Sequence, residues 1–113
     1  MTPRVSVVVI SWNGRAHLER GLPALLDQRR VSYDVVLVDN GSQDGTAEFV
    51  RGTFPDVRLI RLEANAGFAA ANNVGIAASA GEFVATLNND TVPEPDWLAA
   101  LVDAAAGDAR AGA

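Results

Sequence analysis

Cysteine and lysine are both missing from this 113-residue chain, histidine occurs once, and no apolar run exceeds about six residues. Without cysteine, neither a disulfide nor a thiolate metal site is available. All nine basic residues are arginine, which with the many alanines points to a GC-rich coding sequence. The lone His17 has no partner for acid–base work and reads as a surface or helix-end residue. The opening apolar stretch, residues 5–10, is too short for a signal-peptide core or a membrane span. A cytoplasmic chain is therefore expected, with membrane association of a full-length protein left open. No G-x-G-x-x-G or P-loop sequence occurs, which disfavours a dinucleotide dehydrogenase or a P-loop NTPase. The net charge of −5 argues against nucleic acid as a partner.

What is present is globular: 49% apolar and 20% charged residues, in a length that suits one domain. Residues 5–10 form a β-branched run ending in Ser11-Trp12-Asn13-Gly14 and read as a buried strand. Leu18, Leu22, Leu25 and Leu26 follow at helical spacing, with Asn13 as the expected N-cap and a kink or break expected at Gly21 and Pro23. Residues 35–38 make a second buried strand that stops on Asp39, and a short helix follows Asp44-Gly45-Thr46. Residues 57–62 alternate Val/Arg/Leu/Ile/Arg/Leu, the pattern of a half-exposed edge strand. An Ala-rich helix opens at Asn65-Ala66-Gly67, and residues 83–87 form a fourth strand ending at Asn88-Asn89-Asp90. Pro93 or Pro95 suits the first turn of a last helix that carries Trp97, Leu98, Leu101 and Val102. The order β-α-β-α-β-α-β-α implies right-handed crossovers and an open, mostly parallel sheet with helices on both faces.

In a parallel sheet all strand C-termini share one edge, so Ser11-Trp12-Asn13, Asp39-Asn40 and Asn88-Asn89-Asp90 are expected to converge there. Each has a plain reading beside a functional one. Asp39 and Asn40 suit an ordinary Asx turn, or supply an acceptor for a nucleobase N–H. Trp12 is a core aromatic or a wall on which a base stacks. Asn88-Asn89-Asp90 is a turn, or a hard-cation site that becomes adequate when a diphosphate adds oxygens. The Asn65–Gly67 turn precedes a helix, so its N–H groups suit a phosphate, and Asn72 and Asn73 sit where Asn is mildly disfavoured.

Four segments together resemble the N-terminal half of a family 2 glycosyltransferase with the GT-A, Rossmann-like fold: residues 5–13 (VSVVVISWN), 38–46 (VDNGSQDGT), 65–76 (NAGFAAANNVGI) and 81–90 (GEFVATLNND). The resemblance implies a nucleotide-sugar donor, linked to dTDP, UDP or GDP, along the strand edge. Ser11, Trp12 and Asn13 would lie beside the base and Asp39 would read it. Asn65, Gly67 and Asn72 would lie near the ribose and diphosphate. Asn88, Asn89 and Asp90 stand at the family's Asp-x-Asp motif, with Asp90 carrying Mg²⁺ or Mn²⁺.

Three departures follow from the same comparison. Asn88 replaces the first acid of Asp-x-Asp, and Ala71 stands where many relatives have Arg. The family's general base lies in an acceptor-binding half beyond this length, so no catalytic residue is nominated. The 113 residues are expected to form a single donor domain, truncated before that half and inactive alone. The Asn-Asn-Asp form and the Gly67-Phe68-Ala69 turn look most like rhamnosyltransferases. A standalone nucleotide-binding module and an assembly domain remain open as alternatives, and bare sheet edges or faces predict self-association.

Overall fold

The computed structural model describes residues 3–107. Four strands, β1 (Val5–Ser11), β2 (Tyr33–Asn40), β3 (Arg58–Leu62) and β4 (Phe83–Asn88), alternate with four helices: α1 (Arg15–Leu25), α2 (Thr46–Thr53), α3 (Phe68–Ala78) and α4 (Trp97–Gly107). The sheet order is β3-β2-β1-β4 and every pairing is parallel. The valine-rich runs of β1 and β2 take the two central positions, and the Arg-bearing β3 takes an edge, as its alternation predicts.

Alternation along the strands decides which helix each residue meets. Val5, Val7 and Val9 of β1, with Val35 and Leu37 of β2, share a core with Leu18, Leu22 and Leu25 of α1, Val50 of α2, and Leu98 and Val102 of α4. Each of the three α1 leucines is fully buried, which contributes about 1.5–3 kcal/mol apiece. The opposite face carries Val8, Val36 and Val38, and α3 lies over β1 and β2 there. Gly75 of α3 touches the Val8 and Val38 side chains so closely that no Cβ fits. Helices thus cover both faces, making the three-layer α/β sandwich read from the sequence. On the α3 side, however, β4 leaves Val84, Thr86 and Asn88 exposed.

Local details differ from the sequence reading at three points. Helix α1 runs through Pro23 without a break, because Pro23 falls in its last turn and the helix ends two residues later. Asn13 does not cap α1: Gly14 takes that position, and Asn13 adopts φ +51, turning its side chain towards the β2–α2 loop. Pro93 and Pro95 precede α4 instead of entering its first turn, and Gln28 supplies the cap by accepting the Leu98 N–H at 2.9 Å.

Candidate functional site

The C-terminal ends of β1, β2 and β4 do converge. A cleft of about 420 Å³ opens beside α3, floored by Val8, Ile10 and Thr86 and walled by Trp12, Phe68 and a set of amides. Strand parity explains its membership. Val8, Ile10 and Trp12, with Asn40, Thr86 and Asn88, all belong to the face that α3 covers only in part. Trp12 and Phe68 are 56% and 65% exposed, large apolar surfaces turned to water at the rim.

Six of the ten candidate residues line this cleft: Trp12, Asn65, Asn72, Asn88, Asn89 and Asp90. The other four, Ser11, Asn13, Asp39 and Gly67, sit behind it and hold the walls. Ser11 is buried and its Oγ accepts from Asn89 Nδ2 at 3.2 Å, tying the end of β4 to the end of β1. Asn13 joins two loops: its N–H donates to Ser42 Oγ and its Oδ1 accepts the Gln43 N–H, both at 2.8 Å. Gly67 precedes α3 at φ +86, a conformation that favours glycine.

Asp39 is fully buried on the α1 side of the sheet, opposite to the cleft face. Its Oδ1 accepts the Ser42 N–H at 3.0 Å, while its Oδ2 is buried without a partner. A buried acceptor left unpaired is costly and calls for a donor. Asn72 Oδ1, inside the cleft wall, is in the same condition.

Asn40, the residue after Asp39, is read with it in the sequence as a turn or an acceptor but is not carried among the candidate site residues. Alternation turns it to the α3 side, where it is buried and lines the cleft. Its Oδ1 accepts the Ala66 N–H at 2.9 Å, and its Nδ2 donates to Asn65 Oδ1 at 3.2 Å and to the Gly67 carbonyl at 3.4 Å. The period-two rule applied to β2 would have found it.

The electrostatics are sparse. Asp90 is the one carboxylate among the described residues lining the cleft, and no arginine joins it. Among the described residues no cluster of three or more His, Cys, Asp or Glu could hold a metal. Nearby, burial pushes the Asp44 carboxyl up, but the Thr46 hydroxyl and the N–H groups of Arg15, Thr46 and Asp44 itself outweigh it. The net pKa lies below the usual aspartate value. The end of β3 stays out of the cleft, as its exposure suggested; Arg61, Leu62 and Glu63 border a separate depression with Ser42.

Comparison with known proteins fits this geometry. The family model "Glycosyl transferase family 2" matches residues 6–113. The chain belongs to that family. It is 37% identical over 105 residues to the succinoglycan biosynthesis protein ExoO of Rhizobium meliloti, covering 91% of this chain and 30% of that one. It is also 37% identical over 124 residues to the N-acetylglucosaminyl-diphospho-decaprenol L-rhamnosyltransferase of Mycobacterium tuberculosis, covering 100% of this chain and 40% of that one. Among solved structures, the mannosyltransferase PcManGT of Pyrobaculum calidifontis, in complex with GDP-Man and Mn²⁺, matches with a TM-score of 0.82 and 32% identity, over 94% of this chain and 33% of that one. S. aureus TarS 1–349 in complex with UDP matches with a TM-score of 0.77 and 29% identity, over 94% and 31%. The chain spans about a third of the length of the curated relatives it matches. The three-layer parallel sheet is thus the GT-A architecture that the sequence resemblance implied. Among the described residues no helix is long and apolar enough to cross a membrane.

Proposed function

We propose that this chain forms the donor-binding part of an inverting glycosyltransferase that moves a sugar from a nucleotide-diphosphate donor to an acceptor hydroxyl. The observation that carries the reading is the cleft at the ends of β1, β2 and β4, where an exposed indole, five asparagines and one carboxylate meet. Trp12 offers a face for base stacking. Asp39, buried at the end of β2 on the side opposite to the cleft face, has an unpartnered Oδ2 as the acceptor for a base N–H that reaches past the strand end. Asn65 and Asn72 serve the ribose and diphosphate. Complexes of the structural neighbours with UDP and with GDP-Man support the ligand class.

The donor set fits a hard divalent cation in one way. Asp90, exposed at the cleft rim, and the Asn88 amide oxygen would hold Mg²⁺ or Mn²⁺ together with oxygens of the bound diphosphate. Such a cation offsets the charge on the departing diphosphate. The Mn²⁺ complex of the mannosyltransferase neighbour supports this assignment.

Calorimetric titration with UDP, dTDP and GDP, with and without Mn²⁺, tests the reading. Binding of at least one nucleotide is expected, weakened by Asp39→Ala, with Asp90→Ala abolishing the metal dependence while nucleoside binding persists. Failure of all three nucleotides to bind would overturn the site. An unchanged affinity in Asp39→Ala would remove the base-reading role alone.

A second reading concerns assembly. The bare α3-side face of β4, with Val84 exposed there and Leu101 of α4 exposed beside the same strand, supports self-association of this chain. Sedimentation velocity at increasing concentration checks it, and a single monomeric species throughout would overturn it.

A further inference from the structure

Asn65 and Asn40 sit in an amide network with only one self-consistent orientation. Asn65 Oδ1 accepts two N–H groups, from Gly67 at 2.8 Å and from Asn40 Nδ2 at 3.2 Å. A carbonyl oxygen has two lone pairs, so that end of the side chain is filled. Turning the Asn65 amide over would set its NH₂ against two donors. Turning Asn40 over would set its NH₂ against the Ala66 N–H and its oxygen against Asn65 Oδ1 and the Gly67 carbonyl. The hydrogen-bond network therefore assigns both amides.

The backbone behind the pair is equally fixed. Gly41 has φ +82, and a Cβ there would lie 2.5 Å from the Ala64 carbonyl carbon and from the Asn65 nitrogen. The end of β2 thus grips the segment that leads into α3 from two consecutive residues. Asn65 itself is exposed and lines the cleft, and its Nδ2 has no protein partner among the described residues.

We infer that Asn40 is a positioning residue: it holds the Asn65 amide oxygen-inward, so that this corner of the cleft presents Nδ2 as a donor to the diphosphate of the ligand. The inference rests on the nucleotide-sugar reading above. The diphosphate is the group that needs the donor most. No arginine lines the cleft and lysine is absent from the chain, so neutral groups face its anionic oxygens: the asparagine amides, with the Thr86 hydroxyl and the Trp12 indole N–H as the other side-chain donors. Asn40 does this without donating to the ligand's phosphates, because both N–H groups of its own amide are already given to Asn65 Oδ1 and the Gly67 carbonyl.

Calorimetry with UDP and with uridine, each in Mn²⁺ and in EDTA, separates the phosphate contact from the nucleoside contacts. Asn65→Asp keeps an oxygen to accept from Gly67 and Asn40, and replaces the outward donor with a second oxygen. It is expected to lower UDP affinity by about tenfold or more, corresponding to about 1.4 kcal/mol, while uridine affinity and the melting temperature hold. Asn40→Ala frees the Asn65 amide to rotate, and is expected to lower the ratio of UDP to uridine affinity by about threefold or more. A merely structural role would lower both affinities together and leave their ratio unchanged, and that result overturns the inference, as does an unchanged UDP affinity in Asn65→Asp. Wild-type protein that binds none of UDP, dTDP and GDP would instead overturn the nucleotide-sugar reading itself.

Discussion

The Asp44 carboxylate accepts the backbone N–H of Arg15 at 3.1 Å, although 29 residues separate them. Its other oxygen accepts the Thr46 N–H at 3.2 Å and the Thr46 hydroxyl. Arg15 and Thr46 are the first residues of α1 and α2, so one carboxylate serves the N-termini of two helices. Helix dipoles and unpaired N–H groups at both ends favour the anion, consistent with its lowered pKa.

Asp44→Ala is therefore expected to destabilise the fold by about 1 kcal/mol, the usual worth of a helix cap. A folded-state pKa below the unfolded one stabilises above the unfolded value and loses that contribution as pH falls through the folded value. The difference between wild type and Asp44→Ala should persist from neutrality down to about pH 4 and close below it. Urea denaturation of both proteins across that range checks it; a gap that widens in acid would contradict the assignment.

Two helical glycines should respond to alanine with opposite sign. Gly75 of α3 lies against Val8 and Val38, so Gly75→Ala forces overlap with the sheet and should cost about 1–3 kcal/mol. At Gly52 of α2 an alanine methyl would meet nothing within 4 Å, so Gly52→Ala should gain about 0.5–1 kcal/mol through helix propensity. Thermal melts of the two variants, compared with wild type, give the signs directly.

Gln28 joins the end of α1 to the start of α4. Its Oε1 accepts the buried Leu98 N–H at 2.9 Å, and its Nε2 donates to the Glu94 carbonyl at 2.7 Å. Gln28→Ala leaves those groups without partners and should destabilise by about 1–3 kcal/mol. The emission of Trp97, beside Leu98, should redden at lower denaturant concentration than in wild type.

Trp12 is more exposed than buried, so Trp12→Ala should leave the melting temperature within about 3 °C of wild type, since surface changes of this kind are close to neutral. If its indole stacks on a base, nucleotide affinity should fall about tenfold, at the lower end of base–aromatic stacking. Trp12→Phe should recover most of it. Titrations of UDP into the three proteins check this, and equal affinities would exclude stacking.

The alternation of helical and strand periods made the fold legible: the valine runs of β1 and β2, the Arg-spaced β3 and the leucine stripe of α1 all fall where their patterns put them. The strand ends were legible as a site for the same reason, since parallel strands share an edge. Which residue of a strand end faces the cleft was not read, although parity contains it. Asp39 drew attention as the charged residue, yet it points to the α1 side, and Asn40 faces the cleft. Asn13 was read as the cap of α1, and its bracing role was missed for a different reason. Its left-handed φ comes from bracing Ser42 and Gln43, partners fixed only when the sheet forms. The Gln28–Leu98 cap, spanning 70 residues, leaves no local trace in the sequence at all.

The pairing of β4 with β1 has a thermodynamic consequence. Asn88, Asn89 and Asp90 reach the cleft only after that last strand has docked, 78 positions of chain separating Ser11 from Asn89. The nucleotide binding proposed for this cleft would therefore belong to the completed sheet and to no smaller piece of it. By mass action, a ligand at a hundred times its dissociation constant would deepen the native well by about 2.7 kcal/mol. Ligand occupancy and the integrity of the β1–β4 seam then become one equilibrium read in two ways.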